Sequence, residues 1–171
     1  KQNSNTFNMD PEFKQLLTYF PQLEFPLVLQ EGSEHHFGTN DAVPDELLAR
    51  FIIPALDFEI NEFTEFIPCG HWMQQGQIPC LVIWCARLMR YSFYLISYTP
   101  QGTVCDTMEI AGFFSDNEYL FRRMANIDEE GTIFIVEGGH LLEQKEFDQS
   151  KNRKLIVEIL QDGKLLKMPA L

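Results

Sequence analysis

The sequence predicts an α+β domain in which two N-terminal helices pack on a twisted antiparallel β-meander, with a partial barrel or a propeller-like stack of hairpins as the main variant. Three observations predict it. The apolar period is helical up to Ile53 and extended from Phe58 onwards. Three connectors, Thr99-Pro100-Gln101-Gly102, Asp128-Glu129-Glu130-Gly131 and Gln161-Asp162-Gly163, each place a glycine where the chain reverses, and each is followed at once by another apolar run. Several strands are apolar on both faces: Tyr91, Phe93 and Leu95 alternate with Tyr94, Ile96 and Tyr98, and Ile133 and Ile135 with Phe134 and Val136. Such strands need cover on both sides, from helices or from a second layer of sheet.

The first helix opens at Asp10-Pro11, where Asp is a capping residue and Pro suits the first helical position. Phe13, Leu16 and Leu17 then follow at helical spacing, up to Phe20-Pro21. Phe25 to Leu29 is a short strand with its Pro near the start. Glu31 to Asp41 is polar and reads as loop. A second helix begins at Pro44-Asp45-Glu46, buries Leu47, Leu48, Phe51 and Ile52, and stops before Pro54. Strands follow at about Glu62–Pro68, Ile78–Arg87, Tyr91–Thr99, Val104–Phe113, Tyr119–Ile127, Thr132–Glu137, Lys154–Leu160 and Lys164–Met168. Gly138-Gly139 and the charged stretch Glu143–Lys154 read as a longer connection.

At 171 residues, 45% hydrophobic and 13% aromatic, residues 10–171 have material for one globular domain, and general disorder is excluded. Residues 1–9, opening on Lys1, read as a polar leader or tether, either trimmed or left after removal of a signal segment. A net charge of −12 speaks against nucleic acid and anionic lipid surfaces as partners. The longest apolar run, Ile78 to Ala86, is interrupted by Pro79 and falls well short of the roughly 18 residues that a membrane-spanning helix needs.

The candidate binding residues are His71, Trp72 and Met73, at the expected tip of a hairpin turned between Gln74 and Gln75. The functional reading makes Trp72 an aromatic platform for sugar or peptide and His71 a hydrogen-bonding partner; the reading that ranks ahead of it is that the loop folds over the core and Trp72 plugs a gap. The same hairpin register would set Cys69 opposite Cys80, close enough to test as a disulfide, although the leading reading is free buried thiols. Cys69 and His71, two apart on a strand, would share a face, but no orienting group or oxyanion donors accompany them. His35-His36 has no spacing that presents two ligands on one helical face and reads as a solvated loop pair rather than a metal site. The carboxylates serve turns and solubility, and no phosphate loop, nucleophile elbow or dinucleotide fingerprint occurs. No catalytic residue, metal or cofactor is assigned.

The layout resembles a group of uncharacterised bacterial exported or lipid-anchored proteins. The residues that carry the likeness are Phe20-Pro21 leading to the strand ending at Leu29, the Pro-opened helix Pro44 to Ile53, and Phe66-Ile67-Pro68-Cys69-Gly70. Tyr98, Gly102 and Asp106 in the pattern Tyr-x-x-x-Gly-x-x-x-Asp and the closing Asp162-Gly163-Lys164 complete it. The resemblance implies a β-rich fold and a cell-envelope location, periplasmic or outer-surface, with a possible lipid anchor upstream of Lys1. It brings no activity.

The leading expectation for function is a non-enzymatic envelope protein that binds a protein, peptide or glycan through loops of its sheet. The alternative is an intracellular acidic inhibitor of the immunity type that captures a basic partner. A small hydrolase built on Cys69/His71 or an acidic pair ranks last.

Overall fold

Asp10 starts the chain's first helix as its side chain dictates. In the computed structural model, which describes residues 8–143 and 152–170, Asp10 Oδ1 accepts from the N–H groups of Glu12 and Phe13 at 2.9 and 3.1 Å. Helix α1 (Pro11–Leu17) then turns Phe13 and Leu16 inward. The expected tether falls mostly on residues 1–7, outside the described residues.

The second helix is shorter than its pattern. Only α2 (Asp45–Leu47) is α-helical; the chain widens to a π turn over Leu48–Ile52 and tightens to a 3-10 turn over Ile53–Ala55. Pro54 explains the change of pitch, since its ring would clash with the carbonyl four residues back, at Arg50, in a regular helix. The predicted stripe survives, with Leu47, Phe51 and Ile52 buried.

The remainder is mostly β. Strands β1 (Leu27–Leu29), β2 (Glu65–Gln74), β3 (Ile78–Arg87), β4 (Arg90–Tyr98), β5 (Val104–Ser115), β6 (Tyr119–Ile127), β7 (Ile133–Leu141), β8 (Arg153–Ile159) and β9 (Leu165–Pro169) form one antiparallel sheet. β2 to β9 lie side by side in chain order, and β1 pairs with β6. The sheet is not closed into a barrel. β7 runs through Gly138-Gly139, which the sequence predicts to be connector: the ring of Tyr119, across the ladder, occupies the space that a Cβ on Gly139 would need. Most of the expected Glu143–Lys154 connection, residues 144–151, lies outside the described residues.

The sheet coils on itself. β5 stays with β6 only over Gly112–Ser115, and β1 replaces it along Ala125–Ile127. The two halves therefore enclose one core, in which Val82, Trp84 and Leu95 meet Ile127, Ile135 and Val157. The Leu165 N–H donates to Asp106 Oδ2 (2.9 Å) and the Ser97 hydroxyl to the Gly163 carbonyl (2.5 Å), tying the last hairpin to β4 and β5. On the opposite face of β3 and β4, Leu81, Ile83, Tyr94, Ile96 and Tyr98 lie under Phe13, Leu16, Phe51 and Ile52. The Tyr98 hydroxyl donates to the Phe51 carbonyl at 2.7 Å, so this aromatic core is satisfied as well as packed.

β4 is thus covered on both sides, as its pattern requires. β7 is not. Phe134 is 44% exposed and belongs to an open cross-strand row of Val28, Asn126, Phe134, Ile156 and Met168. Among the described residues the helical segments all precede β2; α1 and α2 with its extension pack on β3 and β4, and the 3-10 turn Ser33–His36 buries no side chain, so none covers this face.

Candidate functional site

The cleft that gathers the predicted binding residues is set by the β2–β3 hairpin. Its turn lies at Gln75-Gly76, both with positive φ (52° and 68°), and not between Gln74 and Gln75. Two successive left-handed residues are what a tight hairpin with right-handed strand twist demands. The ladder therefore pairs Gln74 with Ile78 and Trp72 with Cys80.

That register removes the candidate Cys69–Cys80 bridge and leaves the leading reading, free buried thiols. Cys69 occupies a bulge between Pro68 and Gly70, facing no partner directly, while Cys80 lies opposite Trp72 and Ser97. All four cysteines are free thiols. The bulge also separates Cys69 from His71, because an extra residue inverts the alternation of faces. Cys69 and Trp72 point into the core while His71 takes the other side. Burial pushes the thiol pKa values of Cys69 and Cys85 well above the ordinary range and that of Cys80 up to about 12, so all three stay protonated at neutral pH. A thiol reagent under native conditions is accordingly expected to modify only the half-buried Cys105, with all four cysteines titrating after unfolding. Fast native labelling of Cys69 would contradict this placement.

His71 is held by the incoming chain. Residues 21–23 run beside β2, the His71 N–H donating to the Pro21 carbonyl (2.9 Å) and the Leu23 N–H to the His71 carbonyl (3.0 Å). Gly70 permits this approach, since a Cβ there would run into Leu23 and the Pro21 carbonyl. His71 Nδ1 donates to the Phe20 carbonyl, which leaves Nε2 as the ring nitrogen free for a ligand.

Trp72 is a core residue and not a platform. It is 6% exposed, meets Phe25 edge-on at 5.2 Å and donates from Nε1 to Gln74 Oε1 at 2.9 Å. The buried Gln74 passes the connection on, its Nε2 donating to the Glu130 carbonyl at 2.9 Å. An indole can only donate and a carbonyl can only accept, so this chain fixes the amide in one orientation. It fastens the hairpin to the β6–β7 turn.

That turn is itself ordered. Asp128 Oδ1 accepts from the N–H groups of Glu130 (2.9 Å) and Thr132 (3.0 Å), and Gly131, at φ 83°, lies against the Gln74 side chain where any Cβ would collide. Glu129 and Glu130 are left projecting from a rigid base.

Between the two turns lies a cleft of about 740 Å³. Leu23, Phe25 and Ile159 supply apolar floor, with the edge of Trp72 behind. His71, Met73, Gln22 and Gln75 supply one wall, and Glu129, Glu130 and Glu158 the other. Among the described residues, no lysine or arginine lines it. The structure thus brings His71 and Met73 into a cleft and demotes Trp72 to its support. The carboxylates and Gln22 come from segments distant in sequence, and no local signal connects them to the hairpin. Gln74 had a weak signal, as a polar residue before a turn on the same face as Trp72.

Among the described residues, no three His, Cys, Asp or Glu side chains cluster to hold a metal ion, and no helix is long and apolar enough to cross a membrane. His35 and His36 stand exposed on a 3-10 turn. No family model, curated protein or solved structure matches the chain.

Proposed function

We propose that the protein is a non-enzymatic binding module whose cleft between the β2–β3 and β6–β7 turns takes an extended basic segment of a protein or peptide. One observation carries the reading: three carboxylates and one imidazole line the cleft, and among the described residues no lysine or arginine lies there to neutralise them. A lysine or arginine laid across it would rest its methylene stem on Leu23 and Phe25 and its charge among Glu129, Glu130 and Glu158. The net charge of −12 would steer such a partner inward.

A neutral glycan would donate its hydroxyls to the carboxylates as well as to Gln22, Gln75 and His71 but would leave three negative charges uncompensated, so the basic segment is the better fit. The same cleft serves the alternative role, capture of a basic protein by an acidic inhibitor. A cell-envelope location, with or without a lipid anchor, rests on the sequence resemblance alone; fractionation of cells that make the full-length protein tests it.

Calorimetric titration with lysine-rich peptides tests the binding role. Binding is expected to weaken as salt is raised. Replacing Glu129, Glu130 or Glu158 singly by Gln should cost about two- to fivefold in affinity, and the triple replacement about tenfold or more, without lowering the melting temperature. Unchanged affinity in the triple variant would refute the assignment.

A further inference from the structure

Six arginines occur in the sequence, and five of them meet carboxylates: Arg50 at Asp10 and Glu12, Arg90 at Glu109, Arg122 at Glu31, Arg123 at Glu109 and Glu137, and Arg153 at Glu137. Arg87, at the end of β3, meets none among the described residues. In a chain so rich in acid this is unexpected, and the side chain is not loose. Its guanidinium lies over the Phe58 ring, 3.7 Å from the centroid, and Nη2 donates to the Tyr94 hydroxyl at 3.0 Å. Its Nε is buried with no acceptor. A cation held over an aromatic ring and braced by a phenol is fixed in place, at the cost of leaving a charged donor unpaired.

Other donors share its cleft. Arg87 lines a cleft of about 580 Å³ together with Tyr94 and Thr107. The Tyr94 oxygen accepts from Arg87, so its own proton is available, and burial raises its pKa to about 12, which keeps that proton in place at neutral pH. The Thr107 hydroxyl has no partner among the described residues. Pro54, Ala55, Val104 and Met108 form apolar walls. Arg90 and Arg123 also line the cleft but are occupied by Glu109.

We propose that this cleft is a second binding site, separate from the acidic one, which takes a free carboxylate on Arg87, Tyr94 and Thr107. A planar carboxylate matches the fork of a guanidinium. Asp57, Asp106 and Glu109, also in the lining, repel any anion, and a multiply charged phosphate or sulfate more than a singly charged carboxylate. The apolar walls suit the short side chain or tail that accompanies the carboxylate. A peptide C-terminus and a small free carboxylic acid share this chemistry.

The test is an NMR titration of the whole protein with N-acetyl-Ala-Ala bearing either a free or an amidated C-terminus, with propionate, and with inorganic phosphate. The free-acid dipeptide, propionate or both should shift the amides near Phe58, Arg87, Tyr94 and Thr107 in the millimolar range or below, and the amidated peptide should not. Tighter binding of the dipeptide assigns a peptide C-terminus; tighter binding of propionate assigns a small acid. Arg87→Gln should weaken binding about tenfold or more. Thr107→Val, less intrusive at the half-buried strand position, should weaken it with the melting temperature unchanged, which keeps the test decisive if the arginine variant folds poorly. Equal response to acid and amide, tighter binding of phosphate, full affinity in Thr107→Val, or no response to either carboxylate would overturn the proposal. None of these outcomes depends on lysine peptides binding at the acidic cleft.

Discussion

Trp72→Ala is expected to lower the stability of the domain by about 3–5 kcal/mol, the range for removing a fully packed large aromatic residue. The indole is 6% exposed and lies in the core shared by both halves of the sheet, edge-on to Phe25. Its loss also strips Gln74 Oε1 of its donor, and Gln74 is the link between the hairpin and the Glu130 carbonyl. The cost is therefore a cavity plus a half-satisfied buried amide. Denaturant unfolding at several temperatures measures it. If Trp72 were instead a ligand platform, the variant would melt like the parent and lose only binding. The structure predicts the reverse: binding falls only in so far as the β6–β7 turn loosens or the protein unfolds.

Arg123→Met is expected to cost a comparable amount, about 3–5 kcal/mol, for a different reason. Arg123 on β6 bridges the two halves of the coiled sheet, with Nη1 at 2.7 Å from Glu109 Oε1 on β5 and Nε at 2.6 Å from Glu137 Oε2 on β7. Glu137 is only 6% exposed. Without Arg123 its remaining cation is the largely exposed Arg153 at 3.4 Å, and a carboxylate is left nearly uncompensated inside the protein. Glu109 keeps Arg90 at 2.8 Å and the Ser92 hydroxyl at 3.0 Å and so suffers less. Glu137→Gln, which keeps an acceptor but removes the charge, should be milder than Arg123→Met. Equal stability of Arg123→Met and the parent in urea would show that the network carries no structural weight.

The architecture was legible because its signals are local. Ile78–Arg87 and Tyr119–Ile127 agree with their sequence ranges to the residue, since a buried extended run bounded by turn residues fixes both period and limits. The two-sided apolar pattern of Tyr91–Thr99 correctly required cover from both directions. The same pattern at Ile133–Val136 misled, because apolar composition permits burial without supplying a second layer to provide it. Along the second helix the buried stripe was readable, but the effect of Pro54 reached back further than the stop placed just before it.

The site was less legible, for reasons of register and distance. A hairpin displaced by little more than one residue changes every cross-strand partner, and with it the fate of Cys69, Trp72 and Cys80. The bulge at Cys69 has no signature in Pro68-Cys69-Gly70 beyond its glycine, whose need becomes visible only when Leu23 is seen against it. Glu158 reaches the cleft through the pairing of β7 with β8, and Arg123 meets Glu109 through the coiling of the whole sheet. Neither contact leaves a mark in the linear order of residues.

The acidic cleft lies between two turns that the Trp72–Gln74–Glu130 chain locks together. An amide-resolved NMR titration with a lysine-rich peptide addresses it most directly. The expected result is a set of salt-sensitive shifts confined to residues 22–25, 71–75, 128–132 and 158–159, which in the triple Glu→Gln variant need about tenfold or more peptide to reach the same size. Shifts that instead map to the open face around Phe134 and Ile156, or that persist unchanged in the triple variant, would contradict it.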